Sequence, residues 1–384
     1  LKEINDIFLD FIWKNKPHKL KKQVLSDCKA KGGLDFLDFT DTVNSFRVGW
    51  IRRCLIHPIS LWFFIPNHIF NKIGGLSFVL KCNYSPTKLP VMLSKFHQQC
   101  LLAWKLCFIH NFSPHKTLIW NNADIKVKNK SLFLSRWFEN GIHNIISLFD
   151  RSGTILTYEE FLSRHGLPVP FREFNSVTKA IPKGLTQLIK SHLSFGMDNA
   201  TQHKLLLNGV DVMDRKCDNK HIRQIFQFRK RITPRGKFYW GSLIQDINWQ
   251  KAWLLPSKYC ITNKVKEVHF KILHKIYPVN VNIAKYTDIS SACSFCDNTD
   301  ETMLHLFFEC EKTKMFLNDL NNYLFELSYS LTAKDFLFYY DNPVNYPLEF
   351  VVNFFTLQSK FFLHKQKWLQ GQPSFRVFKL EMDS

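Results

Sequence analysis

Apolar residues recur at helical spacing from the first residue of the chain onward. Such a stripe predicts the end of an amphipathic helix over residues 1–13. Because the stripe begins at once and the first residue is not Met, we expect the sequence to start inside a longer protein. A basic turn and a short helix follow, and the pair Gly32-Gly33 then supplies the positive φ that ends a helix. The residues of the first stripe are Leu1, Ile4, Phe8, Phe11 and Ile12.

The same periodicity predicts further helices along the chain. Residues 93–109, 131–149 and 347–370 each carry apolar positions at helical spacing. Thr157 stands three residues before Glu160, the spacing of a capping box at a helix start. We find no repeat of fixed period, and apolar periodicity lapses between residues 211 and 220. We therefore expect two parts, residues 1–212 and residues 213–384.

Composition favours the same fold class. Hydrophobic residues make up 45% of the 384 residues, which is enough for two or three domains with real cores. Phe is frequent, with 37 copies, whereas Gly and Pro are scarce, and this suits long apolar-faced helices better than turn-rich sandwiches. We predict a mostly α protein in which a helical connector precedes a small, α-rich domain with a Cys/His cluster.

The charge is strongly positive, with a formal net value of +20. Lys and Arg greatly outnumber acids between Arg215 and Lys275, whereas the chain beyond Lys275 is mildly acidic. A field concentrated in this way attracts polyanions, although excess lysine also keeps ordinary proteins soluble. We therefore expect nucleic acid, RNA and DNA, as the partner.

Four residues near the end of the sequence have the spacing of a zinc site. Cys293 and Cys296 stand two residues apart, and His305 and Cys310 follow. Thiolate and imidazole are the ligands that Zn²⁺ prefers, and four protein ligands make a closed, structural site without room for a reactive water. The alternative is a coincidence of buried cysteines with a core histidine. Because acids flank the cluster, we expect it to stabilise the fold and not to grip phosphate.

Two basic segments are the candidate nucleic-acid contacts. Cations neutralise phosphates with release of counterions, and interleaved aromatic side chains can stack on unpaired bases. The alternative is that the aromatics are core and the cations a solvated surface. The first set is Arg223, Arg229, Lys230, Arg231, Arg235 and Lys237, and the second is Lys14, Lys16, Lys19, Lys21 and Lys22.

Enzyme signatures are missing from the sequence. It has no Gly-rich phosphate loop, no metalloprotease helix, no nucleophile elbow and no aspartate pair of the polymerase type. His269 and His274 are more typical of core or surface positions than of ligands. There is no secretory signal and no uninterrupted apolar stretch of spanning length, so we expect no membrane association and a reducing compartment for the ten cysteines.

Several motifs resemble LINE-type (non-LTR) retrotransposon reverse transcriptases, particularly those of fish genomes. Residues 11–17 (FIWKNKP) with the following GGL are similar to the segment beyond the polymerase thumb, and residues 268–278 (VHFKILHKIYP) lead into the Cys-rich end. Residues 118–122, 128–133 and 158–162 are similar to the region that connects them.

The resemblance implies that residues 1–212 are a post-thumb connector and that residues 213–384 carry the zinc knuckle, with Cys293, Cys296, His305 and Cys310 as its ligands. It also implies that the chain holds template RNA and target DNA for target-primed reverse transcription. The chain departs from the family in lacking the polymerase's aspartate box and the nuclease, so we expect no catalysis by this part alone.

The remaining domains of the parent polyprotein, an RNA-directed DNA polymerase, would then be partners in a nuclear and cytoplasmic ribonucleoprotein. The rival interpretation is a structural or protein-interaction fragment of a decayed element that binds polyanions without specificity.

Overall fold

A computed structural model describes residues 2–110, 116–192, 204–326 and 328–383, and it confirms the predicted mostly α fold. Among these residues, named strands occur only as two antiparallel hairpins, β1 (Lys126–Val127) with β2 (Lys130–Ser131) and β3 (Leu206–Leu207) with β4 (Val210–Asp211). No helix in these ranges combines the length and apolar character needed to cross a membrane.

The helices follow one another with short connections. In chain order they are α1 (Lys2–Trp13), α2 (Lys22–Leu25), α3 (Phe39–Ile56), α4 (Phe64–Asn71), α5 (Leu76–Val79), α6 (Lys95–Cys107), α7 (Ser135–Glu139), α8 (Tyr158–His165), α9 (Phe171–Ala180), α10 (Lys183–His192), α11 (Asn219–Lys230), α12 (Arg235–Gly241), α13 (Trp249–Leu254), α14 (Asn263–Leu273), α15 (Asn280–Ile283), α16 (Glu311–Phe325), α17 (Ala333–Leu337), α18 (Tyr346–Trp368) and α19 (Phe375–Asp383). Short 3-10 helices cover Lys29–Lys31, Leu61–Phe63, Ile145–Leu148 and Leu255–Lys258, and His305–Glu309 is a π-helix.

The chain divides into two compact units. Unit 1 comprises Leu1–Lys2 and Asp38–Arg229, and unit 2 comprises Glu3–Leu37 and Lys230–Ser384. The N-terminal segment therefore belongs with the C-terminal half, which the expected parts 1–212 and 213–384 do not anticipate. That division into domains stays a prediction.

Unit 1 contains two hydrophobic clusters. In the first, α3 packs against α6, and the indole of Trp104 in α6 donates to the Leu80 carbonyl over 3.0 Å. The second surrounds Trp120 and Trp137, whose rings meet edge to face. A buried indole needs an acceptor, and Trp120 finds one in the Ile142 carbonyl at 2.7 Å.

Unit 2 has one core, organised by the packing of α14 against α18. Its N-terminal segment is attached by specific contacts. The ring of His274 donates through Nε2 to the Gly32 carbonyl over 2.8 Å, and Gly32 has a φ of 89°. A Cβ at Gly32 would lie 2.9 Å from the Trp253 ring, so the predicted glycine turn is needed for close packing as well as for its backbone conformation.

The sequence predicts the start of a helix correctly where a capping box marks it. The Thr157 hydroxyl accepts from the Glu160 amide, and the Glu160 carboxylate accepts from the Thr157 amide, which confirms the capping box of α8. The helix predicted over residues 131–149 is wrong. That stretch contains the end of β2, the short helix α7 and a 3-10 turn, because Gly141 adopts a φ of 77° and interrupts the helical path.

Candidate functional site

Four potential metal ligands meet within unit 2. The ligand atoms of Cys293, Cys296, His305 and Cys310 all lie within 4.8 Å of one another. Cys293 Sγ lies 3.8 Å from Cys310 Sγ, and Cys296 Sγ lies 3.4 Å from His305 Nε2. Zinc–sulfur bonds of about 2.3 Å at tetrahedral angles place two sulfurs about 3.8 Å apart. The cluster therefore has the composition and the spacing that a structural zinc ion requires.

A tight turn presents the first two ligands. The Asp297 amide donates to the Cys293 carbonyl over 3.0 Å, and the Cys293 amide donates to the Thr299 carbonyl over 2.8 Å. Asp297 has a φ of 55°, a conformation that Asp adopts more easily than most residues. The loop therefore doubles back at once and turns both cysteines to the same side.

The other two ligands come from a helical segment. His305 begins the π-helix, and Cys310 lies between it and α16. The Cys310 amide donates to the His305 carbonyl over 2.8 Å, which brings the two ligands to one side of this turn.

The two cysteines of the turn differ in acidity. Burial raises the pKa of Cys293 to about 12. Burial also opposes ionisation of Cys296, but hydrogen bonds from the Asn298 backbone, His305 and Thr299 outweigh it and lower the pKa of this thiol to about 6. Because a zinc ligand must be a thiolate, a Cys296 thiol of lowered pKa is the easier ligand to ionise, whereas Cys293 must release its proton to solvent as the metal binds.

The acids around the cluster fall into two groups. Asp297, Asp300, Glu309 and Glu311 are exposed and make the outer surface of the cluster negative. Glu301 is fully buried, so it does not belong to that surface, contrary to the sequence interpretation. The exposed acids still disfavour phosphate contact here.

The predicted basic residues in α11 are partly engaged within unit 1. Arg229 donates to the Leu106 and Cys107 carbonyls, the latter over 3.1 Å, and so caps the end of α6. Arg223 is half-buried, and its Nε has no hydrogen-bond partner among the described residues.

In unit 2, Arg231 forms a two-bond ion pair with Asp27, with Nε–Oδ2 and Nη2–Oδ1 distances of 2.6 Å and 3.0 Å. Lys230 and Arg235 are exposed. Lys237 lies over the Trp249 ring, 5.6 Å from its centroid. Of these four cations, Arg231 thus binds the N-terminal segment to the rest of the unit through its ion pair with Asp27.

The second predicted set also lies in unit 2. Lys14, Lys16, Lys19 and Lys21 are exposed, and Lys22 is half-buried at the start of α2. Burial and the neighbouring charges of Lys271 and Lys16 lower the pKa of Lys19. The repulsion between Lys19 and Lys271 indicates that the N-terminal basic turn lies close to α14.

Sequence reasoning did not select Lys271 and Lys275 as candidate contacts, although both lie in the motif over residues 268–278. Lys271 is half-buried and Lys275 is exposed beside the end of α14, where its ammonium lies 3.6 Å from the centroid of the Tyr239 ring. Both lie in the stretch between Arg215 and Lys275 in which Lys and Arg outnumber acids, and this charge excess is the signal in the sequence that points to them.

The aromatic residues of the basic segment divide between core and surface. Phe226 and Trp240 are buried, whereas Phe228 and Phe238 are 66% and 69% exposed. The interpretation of these aromatics as core residues therefore fits the two buried rings, and the interpretation as surfaces on which bases can stack fits the two exposed rings.

His269 and His274 are buried core residues, as expected. His269 Nε2 lies 3.2 Å from the Ala252 carbonyl, and burial lowers the pKa of His274 to about 4. Neither belongs to the metal cluster.

A family model described as zinc-binding in reverse transcriptase matches residues 226–316. The match includes α14 and all four ligands of the Cys/His cluster. No curated protein matches the chain. The geometry and the family match agree on zinc as the cofactor, with a Cys₃His set able to hold it. The family match relates the C-terminal region to reverse transcriptases.

Proposed function

We propose that this chain is the C-terminal part of a LINE-type, fish-like retrotransposon reverse transcriptase and that it holds template RNA and target DNA during target-primed reverse transcription. The family match over residues 226–316 supports the parentage for the C-terminal region. The motifs at residues 11–17, 118–122, 128–133 and 158–162 extend the resemblance towards the N-terminus. Catalysis then belongs to other domains of the parent polyprotein, with which this part works in a ribonucleoprotein.

One observation carries the binding proposal: the N-terminal lysines at residues 14–22 and the cations of residues 230–275 belong to the same unit, whereas Arg223 and Arg229 belong to unit 1. The Arg231–Asp27 ion pair and the hydrogen bond from His274 to Gly32 hold the N-terminal segment in place. We call the resulting set the basic face, which consists of Lys14, Lys16, Lys19, Lys21, Arg235, Lys271 and Lys275.

Charge repulsion within the basic face favours a polyanionic ligand. Lys19 interacts unfavourably with Lys16 and Lys271 within the face, and Lys275 does so with Lys285, a lysine outside the face. Like charges held close together cost free energy in the folded protein, and a bound phosphate backbone removes that cost. Lys271 is partly neutralised by Glu267 at 2.6 Å, an exposed pair of small energetic consequence.

An exposed aromatic ring next to these cations favours unpaired nucleotides. Phe238 is 69% exposed in the same helix as Arg235, and Tyr239 beside it lies under the Lys275 ammonium. Stacking of a base on such a ring contributes about 1 to 3 kcal/mol. We therefore propose single-stranded or looped RNA segments as the preferred ligand of this face.

The test replaces Lys16, Lys19 and Lys271 with Gln. Binding of a fluorescent structured RNA is measured by anisotropy over a series of salt concentrations. Each lost phosphate contact is expected to lower the slope of log affinity against log salt by about 0.7 to 0.9. The matched control replaces Lys126, Lys128 and Lys130, which are exposed around the β1–β2 hairpin of unit 1, and so removes the same charge elsewhere.

A slope that stays unchanged in the Lys16, Lys19 and Lys271 variant contradicts the basic face. Equal losses in both triple variants favour the rival, a structural fragment with unspecific polyanion binding. Equal affinity for structured RNA and for heparin, which has no bases, favours the rival as well.

A further inference from the structure

A buried ion pair connects the turn that carries Cys293 and Cys296 to the last turn of α18. Glu301 lies in sequence between the ligands Cys296 and His305, and its carboxylate pairs with the ammonium of Lys367. The two side chains are 0% and 3% exposed. Charges buried so completely are costly unless further hydrogen bonds satisfy them.

Those further hydrogen bonds end on the metal-binding turn. The Glu301 carboxylate accepts from the Ser294 amide at 2.9 Å and from the Ser294 hydroxyl at 2.5 Å. It also accepts from the backbone N–H of Asn280, at the start of α15, over 2.8 Å. Apart from the pair with Lys367, the hydrogen bonds of the carboxylate thus fix Ser294, next to Cys293, and the start of α15.

Asn280 completes the connection from the other direction. Its side-chain oxygen accepts from Lys367 Nζ at 2.9 Å, and its amide group donates to the Ala292 carbonyl at 2.7 Å. Ala292 and Ser294 are the two chain neighbours of Cys293. The ligand is therefore held on both sides by a buried network that ends on α18.

A second contact connects the segment after α18 to the metal-binding turn. The side chain of Gln372 donates to the Phe295 carbonyl over 3.1 Å, in the middle of the turn between the two cysteines. The segment after α18 thus contacts Phe295 directly, and Lys367 of α18 is linked to the neighbouring Ser294 through Glu301.

Electrostatics gives Lys367 a second role. Zn²⁺ bound by three thiolates and a neutral imidazole carries a net negative charge, and a buried cation nearby offsets it. Lys367 interacts favourably with Cys293 in addition to Glu301. Partners beyond the direct ligands fix ligand orientation, and their loss typically costs about 10- to 100-fold in metal affinity.

We propose that Glu301 and Lys367 position the Cys293–Cys296 turn for zinc, and that zinc binding and docking of the C-terminal end of α18 stabilise each other. The pair is a positioning device, because neither side chain is among the four ligands.

The test is Glu301→Gln, which keeps the shape of the side chain and removes its charge. Zinc affinity is measured by competition with a chromogenic chelator and is expected to fall about 10- to 100-fold. The control is Glu311→Gln, an exposed acid next to the ligand Cys310, for which no change is expected.

The increase in melting temperature on zinc addition tells whether Glu301 acts on zinc binding or only on the stability of the fold. This increase is expected to shrink in Glu301→Gln, because weaker binding stabilises the folded form less. An equal drop in melting temperature with and without zinc, at unchanged zinc affinity, overturns the proposal.

Two further measurements remain decisive if Glu301→Gln does not fold. Lys367→Met keeps the hydrogen bonds of Glu301 to Ser294 and Asn280 and is expected to weaken zinc binding as well. Hydrogen exchange on the unmodified protein is expected to show lower protection of residues 365–368 after chelation. Equal protection with and without zinc overturns the coupling to α18.

Discussion

At the scale of single residues, the two cysteines of the metal-binding turn give the most direct prediction. Replacing Cys293 and Cys296 with Ser removes two of the four ligands, and no closed tetrahedral site remains. Zinc binding to such sites contributes on the order of 10 kcal/mol to folding of the bound segment. We expect loss of stoichiometric zinc by elemental analysis and a lower melting temperature, while RNA crosslinks stay on the basic face.

The control for this variant is Cys260→Ser, which changes an exposed cysteine outside the cluster. It is expected to retain zinc and melting temperature. Protein purified under reducing conditions without bound metal contradicts the zinc assignment. Strong RNA crosslinks at Phe295 or Phe307 contradict a purely structural role of the cluster.

The ligands were predictable from the sequence, whereas their support was not. Spacing and residue type identify Cys293, Cys296, His305 and Cys310, because a zinc site needs soft donors at short separations. In the sequence Glu301 looks like the other acids that flank the cluster, and only the fold shows that it is buried while they are exposed. For the same reason Arg229, which caps α6, could not be told apart from a phosphate contact by counting charges.

At the scale of elements, α18 contains a fully buried lysine that predicts a pH dependence. Lys360 donates to His269 Nδ1 at 3.0 Å and to the Leu337 carbonyl at 3.2 Å, and the ring of Phe336 lies 5.8 Å from it. Burial lowers the pKa of Lys360 to about 7 from its ordinary value of 10.5. Burial and the charge of Lys360 lower the pKa of His269 well below its usual range, so this ring stays neutral at and above pH 7.

The sign of the effect follows from proton binding. Between pH 7 and 10.5 the unfolded chain holds more protons on this lysine than the folded protein, so the free energy of unfolding rises with pH. Lys360→Met lacks this titration. We therefore expect the free energy of unfolding of the parent protein, minus that of Lys360→Met, to rise by up to about 1.4 kcal/mol per pH unit in this window. Urea unfolding from about pH 7.5 to 9.5 measures it.

Comparison with the variant cancels the titration of cysteines and tyrosines elsewhere. Lys365→Met, on the same helix but partly exposed and paired with Glu381, is the control for loss of a lysine from α18. A constant difference for Lys360→Met means that the lysine stays charged in the folded protein and contradicts the prediction.

Elements were predicted well where periodicity and a terminal signal agree. Helices α6 and α18 lie within about two residues of the expected 93–109 and 347–370, and the capping box of α8 is present. The stretch 131–149 failed because apolar spacing alone cannot distinguish a long helix from short turns packed into a core. There, buried Trp137 and Ile145 belong to separate short elements of one cluster.

At the scale of the whole molecule, the grouping of residues 3–37 with residues 230–384 was beyond sequence reasoning. It depends on pairs far apart in the chain, such as Arg231 with Asp27 and His274 with Gly32. A single sequence gives no signal for pairs of this kind, since nothing in residue type or spacing links positions so far apart. Yet this grouping decides which lysines can act together.

The last prediction uses that grouping to separate organisation from charge. Asp27→Asn leaves the shape of the side chain and removes one negative charge, which by charge alone favours RNA binding. The change also weakens the partly buried pair with Arg231, at an expected cost of about 1 to 3 kcal/mol in unfolding free energy. If the basic face depends on the docked N-terminal segment, RNA affinity falls although the protein is more positive.

The matched control is Asp35→Asn, an exposed acid of the same segment, which makes the same change in charge without touching the ion pair. Anisotropy titrations at one salt concentration and limited proteolysis of residues 3–37 are measured for both variants. We expect faster cleavage and weaker RNA binding for Asp27→Asn only. If both variants bind RNA equally or more tightly than the parent protein, net charge alone governs binding and the two basic segments do not act as one face.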